Sequence, residues 1–432
     1  MNPVTSFARL INPPTEGMAE RNRPAIILSY AIMPLAGSLV GLIVTVLTCW
    51  AAICLVVGRL SWRAFGPAAP LLWSHVAFFG ALAVADILNS DPGTAALDIG
   101  LRLFFLMPII AVHRVAISRT EDVLDAVFKG AAIGGILAPV AGLASIILFD
   151  SYRAEGFAGN AGPFSILCLL TAGLALLGFR EKHDFFRNAI ALLGMFGASL
   201  AVIMTGMRGA WPALPIILAI ALWTRRRDIP VVWSRIGQRH RGLTLAAAFV
   251  LTLVGVVLGA EYVSHRAQGL IQDFEVMFAN ANAATSLSLR SDMYRAGIAA
   301  FLERPFLGWG ESGLWAAVQP HLGAVFADGF SFSHLHNVIL TVGVQAGLVG
   351  IAALLAVLFT PIWCAFRQRR EAEGPARLAF ALILVCAYLI PGLTNIMFFH
   401  DILDAVWALS IWTLAGTMMS ENGVRSTEDA PA

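Results

Sequence analysis

The sequence predicts an all-α fold, a polytopic membrane bundle of about twelve transmembrane helices with one large outer loop between spans nine and ten. Three observations carry this. Hydrophobic residues make up 58% of the 432 and charged residues only 13%, about half of the ~25% that soluble domains carry. The apolar residues fall in runs close to the ~20 needed to cross a bilayer. The basic residues gather between those runs, and 27 of the 29 are arginine, Lys129 and Lys182 being the exceptions. Mean hydropathy is +0.76. This composition excludes a set of soluble domains, a disordered chain, a disulfide-stapled secreted fold and a nucleic-acid binder.

Residues 1–23 are polar, and the first apolar run leads at once into others, so a cleavable signal peptide is not expected. The spans are read as 24–38, 39–57, 67–87, 95–112, 126–148, 163–179, 188–205, 211–224, 243–261, 347–366, 377–395 and 402–419. Pro34 to Ser38 supplies the hairpin between the first two. The eighth is short, with Trp211 and Trp223 at its ends as interfacial anchors. Cys49, Cys54, Cys168, Cys364 and Cys386 all lie within apolar runs and form no CxxC pair, so they read as small core residues.

With the N-terminus in the cytoplasm, 22 of the 29 basic residues fall on the cytoplasmic side. The positive-inside rule requires this, and twelve spans return the C-terminus to the same side. The layout is then a cytoplasmic segment 1–23, spans one to nine in 24–261, an outer loop with a short surface helix in 262–346, spans ten to twelve in 347–419, and a cytoplasmic tail 420–432. Seven basic residues remain. Arg102 lies in the fourth span, and Arg153, Arg208, Arg266, Arg290, Arg295 and Arg304 lie outside. Arginines in or beyond the membrane are disfavoured without a reason, which makes these seven candidates for function. Arg304, beside Glu303, reads more simply as a surface anchor.

Arg208 sits in a turn of only a few residues, Thr205 to Pro212, between Gly206 and Gly209, which would let a ligand approach the backbone. Arginine presents a planar fork that matches phosphate oxygens, and several forks around one cavity suit a diphosphate. The long outer loop contains a helix from about Leu287 to Glu303, with Arg290 and Tyr294 on one face. Pro305 to Gly310 predicts a tight turn anchored by Trp309. Ser333-His334-Leu335-His336-Asn337 then opens an apolar run. Residues 337–346 are read as a short surface or partly re-entrant helix, with the crossing after Gly347. Its N-terminus favours an anion, and a neutral imidazole there can take a proton from a hydroxyl. Two positions apart on a continuous helix, His334 and His336 would point to nearly opposite sides, so one of them is expected to face the site. The outer carboxylates are scattered, and no third ligand joins the histidines, so neither a metal nor a cofactor is expected.

Arg290-x-x-x-Tyr294, Pro305 to Gly310, His336-Asn337, Gly343 and Gly347-Leu348-Val349-Gly350 together resemble the signature of the O-antigen ligase superfamily, which also holds O-antigen polymerases and bacterial protein O-oligosaccharyltransferases. Thr205 to Gly209, and Arg153-x-x-Gly156 with Asn160 and Pro163, are similar to its upstream motifs. The motifs lie within 150–350, and the rest matches in span pattern. Tyr294 stands where tryptophan is common, and Met207 where serine is frequent. The resemblance implies a metal-independent glycosyltransferase of the bacterial inner membrane, with the outer loop as its periplasmic catalytic loop. The donor would be a glycan on undecaprenyl diphosphate. The acceptor would be a hydroxyl of lipid A–core, of another lipid-linked repeat or of a protein, in lipopolysaccharide or surface-polysaccharide synthesis. In that reading His336 is the general base, while Arg208 and Arg290 hold the diphosphate. Arg153, Arg266, His334, Asn337, Tyr294 and Trp309 contact substrate. A polymerase of the same superfamily is the alternative. A twelve-span transporter is the rival from another class, and the sparse charge within the spans stands against it.

Overall fold

The computed structural model describes residues 15–235, 286–323 and 334–419, with positions 264, 268, 271 and 326. The expected ninth span 243–261, Arg266 and Ser333 lie outside the described residues. Everything described is helix or connection, with no strand among the described residues. The helices are α1 (Thr15–Ile32), α2 (Leu39–Val56), α3 (Ala69–Asn89), α4 (Pro92–Leu101), α5 (Met107–Val115), α6 (Thr120–Phe149), α7 (Ala161–Leu177), α8 (Phe185–Met204), α9 (Ala213–Arg225), α10 (Asp228–Arg235), α11 (Ser286–Glu303), α12 (Leu314–Val318), α13 (Val338–Arg367), α14 (Gly374–Gly392) and α15 (Asp401–Met419).

The chain is a multi-pass helical membrane protein. Among the described residues seven helices are long and apolar enough to cross a membrane, or eight if the bent pair α4–α5 is one span; α7 and α9 are shorter apolar helices. Twelve crossings are therefore more than these helices carry by length and composition. Two expectations change shape. The first span was expected at 24–38, but the helix runs from Thr15 to Ile32 and the chain turns over 33–38. The polar first turns, with Glu16, Glu20, Arg21 and Arg23, keep α1 out of the apolar set. The fourth span was expected as one helix over 95–112. It is bent by 46° at Arg102, between α4 and a short 3-10 turn over Leu103–Phe105. Pro108, which has no N–H to give, follows at the start of α5.

α7 and α15 form the centre. Every residue of α7 is buried, as are nearly all of α15, which is what a helix apolar on all sides requires. α8 packs on both α6 and α7. Its contact with α6 is close because Gly135, Gly194 and Gly197 face backbone that a methyl group would strike. Arginines also pair with carboxylates at the end of the bundle where α7 stops and α14 starts. Arg180 bridges to Glu373 with paired bonds of 2.8 and 2.9 Å, and Arg377, buried, reaches Glu371 at 2.6 Å. These bonds tie together the loops that join the helices there.

α13 has non-helical backbone at Gly347, with φ 63° and ψ −156°. The short helix before Gly347 and the longer one after it match the division read from the sequence. The turn after α11 fills the break. Leu348 N–H donates to Pro305 O at 2.7 Å, Trp309 N–H to Val344 O at 2.8 Å and Gly310 N–H to Gln345 O at 2.8 Å. Carbonyls freed by the break thus regain partners, which buried backbone needs.

Candidate active site

At the end of the bundle opposite the Arg180–Glu373 bridge, four chain segments meet beside α11. They are the start of α7, the turn 205–212, residues 334–337 and the loop 393–400. Each is set by local chemistry. Asn160 caps α7 by accepting from Gly162 N–H at 2.8 Å, and Asn337 caps α13 by accepting from Leu340 N–H at 3.0 Å. Thr205 closes its turn, donating to Val202 O at 2.7 Å and accepting from Met207 N–H at 3.2 Å.

His336 has φ +50°, a left-handed backbone that is uncommon for a residue with a side chain. The surroundings hold it there. Tyr294 Oη donates to His336 O at 2.8 Å and lies 3.4 Å from Leu393 O, and Asn337 Nδ2 donates to Leu393 O at 3.2 Å. Tyr294 thus clamps the backbone of the histidine segment to the loop after α14. The expectation that one histidine turns away does not hold, because residues 334–337 precede the helix instead of lying on it. The two rings lie 4.5 Å apart, edge to face, and both meet the side-chain amide of Asn395. Asn395 Oδ1 is 3.2 Å from His336 Nδ1.

Burial pushes the His334 imidazole down to about 4, helped by His336 and His400 and opposed by the bond to Asn395. His336 is also held below its ordinary value, by burial and then by the positive charge of Arg290, again opposed by Asn395. Both rings are therefore neutral at pH 7 and able to accept a proton. Burial raises the Tyr294 phenol, which keeps it a donor.

Arg290, on α11 one turn before Tyr294, directs its charge at both His336 and Tyr294. The Arg208 turn reaches the histidines through Asn395, whose Nδ2 lies 3.2 Å from Met207 Sδ. Gly209 has a packing reason to be glycine, since a side chain there would strike the Thr394 hydroxyl. Arg153 stacks its guanidinium 4.8 Å from the Tyr152 ring. Trp309 donates its indole N–H to Ala300 O at 2.9 Å and lies under the Arg304 guanidinium. These contacts make it an anchor between α11 and the break in α13. Arg304 also donates to Asn89 at 2.5 Å, a contact within the protein.

Arg102 has a different place. Buried, it pairs with Asp86 and, at 2.7 Å, with Glu311, which accepts from Gln345 Nε2 at 2.5 Å. Glu311 N–H in turn donates to Asp86 at 2.8 Å. This network fastens the loop after α11 to α3 and to the short arm of α13. Burial holds the Glu311 carboxyl above its usual range, with Arg102 opposing.

Asn395 was not among the residues singled out in the sequence. It was read as the last residue of an apolar span, where a lone amide carries no signal. The structure ends α14 at Gly392 and puts Asn395 in the loop.

A family model described as O-antigen ligase matches residues 193–355. That stretch holds Arg208, Arg290, Tyr294, Trp309, His334, His336 and Asn337; Arg153 and Asn395 lie outside it. An uncharacterized protein of Haemophilus influenzae is 23% identical over 296 residues, 68% of this chain and 71% of that one. An O-antigen ligase of Escherichia coli K12 is 27% identical over 218 residues, 50% of this chain and 49% of the ligase.

Proposed function

We propose, for a chain whose residues 193–355 match a family model described as O-antigen ligase, that it is a metal-independent glycosyltransferase moving a glycan from undecaprenyl diphosphate to an acceptor hydroxyl, with lipid A–core as the acceptor. In this reading the bundle has twelve spans in the bacterial inner membrane, both termini are cytoplasmic, and the His336 end faces the periplasm. One observation supports it above the others. The neutral imidazole of His336 and the turn that carries Arg208 meet at Asn395, and the charge of Arg290 bears on His336.

His336 Nε2 takes the proton of the acceptor hydroxyl as its oxygen attacks the anomeric carbon. The bond from that carbon to the diphosphate breaks, and its electron pair leaves with the diphosphate oxygen. Arg208 and Arg290 stabilise the charge that develops there. A single displacement of this kind inverts the anomeric centre. Arg153 and Arg266 serve as further phosphate contacts, with His334, Asn337, Tyr294 and Trp309 shaping the site. Deletion of the gene followed by gel profiling of surface glycan tests this function. Loss of all capped lipopolysaccharide, with accumulation of lipid-linked polymer, is expected. Capping by single repeats would instead mean a polymerase, and an unchanged profile would refute both.

A further inference from the structure

We infer that Asn395 is a positioning residue that holds His336 in the tautomer with Nδ1 protonated, which puts the ring's lone pair on Nε2. The inference rests on the role of His336 proposed above. It follows from which end of the amide faces what. One end lies 3.2 Å from Met207 Sδ, and a thioether can only accept, so that end is the NH2 group. The carbonyl oxygen then faces His336 Nδ1 at 3.2 Å. An acceptor at Nδ1 requires a proton on Nδ1 and so leaves the lone pair on Nε2. The amide NH2 also occupies space that opens only because residue 162 is glycine, for a side chain there would strike Asn395 Nδ2. Gly162 at the start of α7, Met207 beside Arg208 and the histidine segment thus fix one side chain from three directions.

The charged and titratable groups around this pair are few. Arg290 and Tyr294 face His336 from α11, and His334 faces it from its own segment. His400, itself 3.2 Å from Asp401, acts on His334 from the loop before α15. The 205–212 turn contributes Arg208. The contact described at His336 Nδ1 itself is the one with Asn395 Oδ1, at 3.2 Å.

The test uses the full chain in lipid nanodiscs with a synthetic lipid-diphosphate glycan as donor. Asn395→Ala should lower the transfer rate by about 10²-fold while shifting the donor KM little. Asn395→Asp keeps an acceptor oxygen and adds a negative charge, which raises the His336 pKa. It should regain most of the rate, with the acid limb of the pH profile moved to higher pH. Histidine 15N resonances should report protonated Nδ1 at His336 in the wild type, and Asn395→Ala should lose that preference. Gly162→Ala should reproduce the Asn395→Ala result without touching either residue. Equal losses in Asn395→Ala and Asn395→Asp, with an unmoved acid limb and an unchanged tautomer, would overturn the inference. If His336→Ala kept the wild-type rate while the tautomer still followed Asn395, the general-base reading would fail and the positioning would stand.

Discussion

Replacing Tyr294 by phenylalanine removes one hydroxyl and leaves the ring. Two contacts go with it, the 2.8 Å bond to His336 O and the longer 3.4 Å approach to Leu393 O. A neutral hydrogen bond of the first kind contributes about 1 kcal/mol net. His336 sits at φ +50°, and a left-handed residue with a side chain costs about 1–2 kcal/mol. The two terms nearly balance, so without the hydroxyl the strained segment loses the interaction that offsets its backbone. Asn337 still holds Leu393 O at 3.2 Å, so the loss should be partial. About 1 kcal/mol corresponds to roughly a fivefold change in the population of the working arrangement, since ~1.4 kcal/mol is tenfold. Tyr294→Phe should therefore lower the initial rate of glycan transfer about fivefold, measured in membranes at saturating donor, and Tyr294→Phe/Asn337→Ala should lower it further. A wild-type rate in both variants would refute the clamp. A Tyr294→Phe rate as low as that of His336→Ala would refute it differently, by giving Tyr294 a direct role.

Three further outcomes are expected. Gly209→Ala puts a methyl group against the Thr394 hydroxyl and displaces the Arg208 turn; transfer should fall about 10²-fold, and adding Thr394→Ala should restore most of it, whereas an active Gly209→Ala protein would contradict the packing argument. Arg102→Met leaves Asp86 and Glu311 without their shared cation, a loss of about 3–5 kcal/mol for a broken buried pair, so thermal unfolding in detergent should begin at clearly lower temperature; an unchanged midpoint would count against the network. His334 is held near 4 in the fold against its ordinary 6.5, so the unfolded segment binds more protons between those values, and stability should fall as pH drops through that window and be fully present above it. Protection factors of the amides of residues 334–337, with the intrinsic pH dependence of exchange divided out, should fall from pH 6.5 to pH 4, and a flat profile would contradict the buried, neutral ring.

The bundle was legible because water and lipid sort residues by side, and long apolar runs with arginine between them need no tertiary information. The helix over 286–303 and the division of α13 at Gly347 were legible for local reasons, since periodicity and a glycine mark them. The bend at Arg102 was not read, although Pro108 follows it, and the partners Asp86 and Glu311 that hold the buried Arg102 side chain could not be read from the sequence around it. The site was half legible. Charge on the unexpected side pointed to Arg208 and Arg290, and two histidines before a helix stood out from the apolar run that follows them. What periodicity could not give was the left-handed turn at His336, which brings both rings to one amide. Asn395 was invisible for the same reason, since a single amide at the end of an apolar run gains meaning only when three other segments close around it.

The central claim is that His336 and the two arginines act on one diphosphate-linked donor. The most direct measurement is transfer by the purified chain in proteoliposomes, given undecaprenyl-diphosphate glycan and a lipid A–core acceptor, with released undecaprenyl diphosphate counted against new glycosidic bonds. The wild type should form the two in equal amounts, while His336→Ala, Arg208→Ala and Arg290→Ala insert normally and form neither. Transfer at the wild-type rate by His336→Ala or by Arg208→Ala would contradict the account.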